Sequence, residues 1–108
     1  MSDSRLPAHI EVAGLIRSIE TAGGFGMVIS KGERDAGTLL VICCENGTNC
    51  RAYERMPRPD GTRGWDVSRV QDIENPMEFT EWYQRRARQD DDLWIVELDG
   101  PNADKTLI

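Results

Sequence analysis

The chain has 108 residues, enough for one hydrophobic core and too few for two. Apolar residues make up 39% and charged residues 30%, with three Trp, two Tyr and two Phe, which excludes a disordered polymer. A formal charge of −6 argues against DNA or an anionic membrane as partner of the whole surface, because phosphate binding needs a basic field.

At the start, Ala8, Val12, Leu15, Ile16, Ile19 and Ala22 recur at the spacing of one helix face. Pro7 suits the first turn of this helix and Gly23-Gly24 its end, since glycine takes the left-handed conformation that closes a C-terminus. Phe25 to Ser30 reads as a short strand. The polar stretch Lys31-Gly32-Glu33-Arg34-Asp35-Ala36-Gly37 reads as a loop. Thr38 to Cys44 is apolar without alternation, as in a central strand covered on both faces. Its longest apolar run, Leu39 to Cys44, is far shorter than the roughly 18–20 residues that cross a bilayer.

Asn46-Gly47 is the pair that a type I′ hairpin turn demands, and Thr48 to Met56 returns as the partner strand. A plain two-residue loop sets Cys43 opposite Cys50, with Cα atoms about 5.5 Å apart. Three cysteines, odd in number, fit a reducing compartment, so the thiols are expected free. Pro57 to Gly64 is turn chemistry, and Trp65 to Val70 a fourth strand. Asn75-Pro76-Met77-Glu78 opens a second helix that runs to about Arg88 with Phe79, Trp82 and Tyr83 on one face. Leu93 to Leu98 is the last strand, ended by Asp99-Gly100-Pro101; Thr106 to Ile108 is left as an added edge or a frayed end.

This order predicts an α+β fold: a strongly bent antiparallel sheet of about five strands, an N-terminal helix, and a second helix before the last strand. A single cytoplasmic domain over 1–108 is expected, with residues 1–4 and 103–108 frayed, since Met1-Ser2-Asp3-Ser4 lacks a charged-then-apolar signal pattern.

The candidate chemistry is sparse. Gly23-Gly24-Phe25-Gly26 follows a helix instead of preceding one, the wrong order for a phosphate loop. Cys43-Cys44 and Cys50 lack zinc spacing, and the lone His9 sits in a first helical turn where solvation is ordinary. Asp90, Asp91 and Asp92 could hold a hard cation in a metal-dependent enzyme, although a charge run between helix and strand is usually a solvated connector. No catalytic residue, metal or cofactor is assigned, and the protein is read as a non-enzyme.

Residues 51–69 carry five arginines against three acids, whereas residues 72–108 carry ten acids against four bases. Arg51, Tyr53, Arg55, Arg58 and Trp65 are therefore the candidate binding set, with RNA as the alternative partner. Trp82, Tyr83 and Trp94 are candidate interface aromatics, which double as core anchors. The leading expectation is a protein-interaction or self-assembly module that associates through an open strand edge or an aromatic face.

The loop from Lys31 to Gly37 leading into Leu39-Leu40-Val41, the isolated Trp65, and Asp92-Leu93-Trp94-Ile95-Val96-Glu97-Leu98-Asp99 together resemble a family of small alphaproteobacterial proteins classed as a domain of unknown function. The likeness spans about Arg5 to Leu107 and brings no catalytic residues or substrate. It implies a fold similar to the small bent barrel of Sm-like proteins, from which the second helix departs.

Overall fold

The computed structural model describes residues 6–107. Helix α1 spans Ala8–Thr21, followed by strands β1 (Phe25–Ser30), β2 (Leu39–Glu45), β3 (Thr48–Pro57) and β4 (Arg63–Val70). Helix α2 (Pro76–Gln89), strand β5 (Trp94–Asp99) and a closing 3-10 helix (Ala103–Leu107) complete the chain. Among the described residues no helix is long and apolar enough to cross a membrane.

No side-chain hydrogen bond caps the N-terminus of helix α1, where Pro7 is the N-cap; the 31–37 loop supplies the missing acceptors. The N–H groups of Ala8 and His9 donate to the carbonyls of Asp35 and Arg34, each at 2.9 Å. Glu33 shapes that loop by accepting the N–H groups of Asp35 and Ala36, and these bonds hold its carboxyl below the usual carboxylate range. His9 is tied to the same loop, its Nδ1 3.0 Å from the Arg34 carbonyl oxygen.

The five strands run in the order β1-β5-β2-β3-β4. Three neighbouring pairs are antiparallel, but β2 and β5 are parallel, which corrects the all-antiparallel expectation. The physical reason is the crossover: α2 carries the chain from β4 back across one face, so that β5 enters beside β2 in the same direction. The β2–β5 pair forms the middle of a sandwich, with side chains buried on both faces, as their unbroken apolar runs require.

On one face, Val12 and Ile19 of α1 pack with Leu39, Val41, Val96 and Leu98. Ala103 and Leu107 of the 3-10 helix are buried there too, so residues 103–107 are anchored instead of frayed and form no strand. Residues 1–4 and Ile108 lie outside the described residues. On the other face, Phe79 of α2 packs on Leu40, Ile42 and Ile95. The sheet is open, with β1 and β4 as its two edges, so the closed barrel implied by the Sm-like resemblance does not form.

The hairpin turns as Asn46-Gly47 demands, with φ of +52° and +76°. Three residues on, Asn49 also has positive φ, and the β2–β3 register shifts between Cys43 and Glu45. This bulge places one extra residue in β3 and sets Cys43 opposite Arg51. The expected Cys43–Cys50 pairing is thereby corrected. Cys50 swings onto the α2 face beside Cys44, and these two form a disulfide with Cα atoms 4.2 Å apart, while Cys43 remains a buried free thiol.

Candidate functional site

Along β3, Arg51, Tyr53 and Arg55 alternate onto the α1 face, but the five candidate residues divide between separate places instead of forming one surface. Arg55 forms an ion pair with Glu11 of α1 and lies over the Trp65 ring, 4.5 Å from its centroid. Trp65 stands opposite Arg55 in the register and packs against the α1-side core. These three residues clamp the β3–β4 ribbon to α1. Arg58, farther out, pairs with Asp66 at 3.0 Å.

Arg51 and Tyr53 instead border a cleft of about 360 Å³, shared with Cys43, Asn49, Asn102 and Asp104. Burial, reinforced by the Asp104 charge, pushes the Cys43 thiol up to about 12. A thiol held so firmly protonated is a poor nucleophile. Burial and the Asp104 charge also raise the Tyr53 hydroxyl, against the opposing hydrogen bond from Arg51.

The three candidate interface aromatics part company. Trp94 is buried, and its indole N–H donates to the Glu33 carbonyl at 2.6 Å, so this residue is a core anchor and not an interface. Trp82 and Tyr83 are half-buried against Phe79, with ring centroids 5.8 and 6.0 Å from it. The guanidinium groups of Arg69 and Arg86 lie over Trp82. Arg86 also makes a two-pronged hydrogen bond to Glu54 of β3, at 2.8 and 3.0 Å, which draws the Glu54 carboxyl down. This lattice fixes α2 to the sheet.

Asp90 and Asp92 are joined within a turn, where the Asp90 carboxylate accepts the Asp92 N–H at 2.9 Å. The Asp92 carbonyl accepts the Glu33 N–H at 3.1 Å, which docks the connector on the 31–37 loop. No cluster of three or more His, Cys, Asp or Glu side chains among the described residues is arranged to hold a metal ion.

The surface that residue-by-residue reasoning missed is the outer edge of β1. Its sequence Phe25-Gly26-Met27-Val28-Ile29-Ser30 has no charge and no proline, and Phe25, Met27 and Val28 are 52%, 47% and 39% exposed. Gly26 faces α1 closely: a Cβ there would sit 3.0 Å from an Ile16 side-chain carbon. Phe25 and Met27 therefore face the opposite side, next to Asp99 and Glu97 in the register. Helix α2 leaves them uncovered. The other edge, β4, carries Arg63, Asp66 and Arg69, the kind of charge that protects an edge from pairing.

The family described as a protein of unknown function, DUF1491, matches residues 6–108. The chain belongs to the DUF1491 family. A DUF1491 protein from Caulobacter crescentus CB15, solved as a crystal structure, is 32% identical with a TM-score of 0.78, over 95% of each chain. A second structure, of a DUF1491 protein from the same organism by NMR, is 32% identical with a TM-score of 0.75, over 94% of this chain and 92% of that one. A protein from A. tumefaciens solved in solution is 28% identical with a TM-score of 0.75, over 95% of this chain and 92% of that one. No curated protein matches the chain. DUF1491 membership thus agrees with the family resemblance read from the 31–37 loop, Trp65 and the Asp92–Asp99 run.

Proposed function

We propose that this DUF1491 protein is a non-enzymatic protein-interaction module that docks an extended polypeptide strand on the free edge of β1. The observation that carries this reading is the uncharged, proline-free edge with three exposed large side chains in six residues. Such an edge presents a row of unpaired N–H and C=O groups, and an added strand satisfies them while alternate side chains supply specificity. Docking at β1 is favoured over RNA at the arginine hairpin because Arg55, Arg58 and Arg69 each pair with an acid of the same chain. Cations neutralised in this way contribute little to a phosphate-binding field.

The test is fluorescence anisotropy with a labelled peptide that copies residues 24–31, an uncharged strand apart from its terminal lysine. Saturable binding is expected, lost in Met27→Lys and retained in Val67→Lys, a control on the opposite edge. Absence of binding, or equal loss in both variants, contradicts the reading.

A further inference from the structure

We infer that the natural occupant of this edge is β1 of a second copy, giving a two-fold dimer with one sheet running through both chains. The inference rests on the edge-docking reading and names its partner. A two-fold axis between antiparallel strands sets one residue opposite its own copy and exchanges the flanking pairs. Regular β1 pairing ends at Ile29, where the register with β5 shifts between Val28 and Ser30, so the usable edge is Phe25 to Val28.

With the axis at Gly26, Phe25 of each chain stands opposite the second copy's Met27. All four side chains then meet on the uncovered α2 side of the sheet. Two exposed apolar residues thus bury each other, and a thioether beside an aromatic ring is a favourable contact. With the axis at Met27, Phe25 would instead oppose the bulged Ile29, where the pairing geometry is broken. The Gly26 register is therefore the self-complementary one.

Charge points the same way. Each chain carries a formal −6, yet Gly23 to Ser30 contains no ionisable side chain, so the junction sets no like charges opposite one another. Self-pairing of β4 about Asp66 would juxtapose two copies of that carboxylate.

Size-exclusion chromatography with light scattering across rising protein concentration tests the inference, with Tm measured to confirm that each variant is folded. The wild type should reach the mass of two chains, and Met27→Lys and Phe25→Glu should each remain at one. The double variant Phe25→Glu/Met27→Lys should regain the dimer, because each new carboxylate then faces a new ammonium across the junction. A dimer that persists in Met27→Lys, or a double variant that stays monomeric, overturns the β1–β1 register. If the wild type is monomeric throughout but the 24–31 peptide binds, the self-pairing falls and the edge-docking reading stands. If neither occurs, both fall.

Discussion

Asp99 at the end of β5 holds the backbone of Asn46 at the hairpin turn: its Oδ1 accepts the Asn46 N–H at 2.8 Å and its Oδ2 accepts that of Gly47 at 2.8 Å. The carboxylate is buried, and it ties together two segments more than fifty residues apart in sequence. The turn residues, with their positive φ, and their acceptor form one unit that also aligns β5 beside β2.

Removing that acceptor should be costly. Asp99→Ala leaves two turn N–H groups without a partner, and a loss of about 2–3 kcal/mol is expected from charge-assisted bonds of this kind. Urea denaturation checks the figure, and Asp99→Asn, which keeps one acceptor oxygen, should lose less.

The local features of this fold were legible in the chain. Helix α1, the Asn46-Gly47 turn and the Asn75-Pro76 start of α2 are encoded by neighbours within a few residues, and each forms where the pattern places it. The parallel β2–β5 pairing was not legible, because direction depends on how α2 carries the chain over the sheet. Asn49 held a clue to the bulge, since asparagine tolerates positive φ, but an unbulged strand fits the same letters. Among the site residues, Arg51 and Tyr53 share a face because they stand two apart on one strand, a spacing the sequence itself displays. The sequence could not reveal that Glu11, distant in the chain, engages Arg55, or that β1 is an edge, because both follow from strand order and packing.

The cysteines give a thiol count that separates one disulfide from three free thiols, and a mapped position that separates the two pairings. Without reductant, the folded protein should resist alkylation at pH 8, and the protein in denaturant should expose one reactive thiol, Cys43. Its burial and raised pKa, about 12, account for the native resistance. Peptide mapping that finds Cys44 or Cys50 as the alkylated residue contradicts the bulged register.

Two half-buried carboxylates should respond to pH in opposite senses. Glu54 is held below its usual range chiefly by the Arg86 hydrogen bond, so its stabilisation is present above the unfolded pKa and disappears as pH falls through the folded one. Glu54→Gln should therefore cost about 1–2 kcal/mol at pH 7 and little in acid.

Glu97 is pushed up, first by burial and then by the Asp99 charge, so the folded state favours its protonated form. Stability from this group is complete below its unfolded pKa and is lost as pH rises through the folded value. Glu97→Gln should raise Tm at pH 7, with the gain vanishing below the carboxylate range; thermal melts of the two variants across pH read both signs.

The edge of β1 is the centre of the functional account, and amide hydrogen exchange reads it directly. In protein diluted until it is a single chain, so that the edge is free, exchange at Phe25 to Val28 should slow when the 24–31 peptide is added to saturation, while the amides of the opposite edge, Arg63 to Val70, keep their rates. Unchanged exchange at Phe25 to Val28, or protection that appears at β4 instead, would contradict strand docking at this edge.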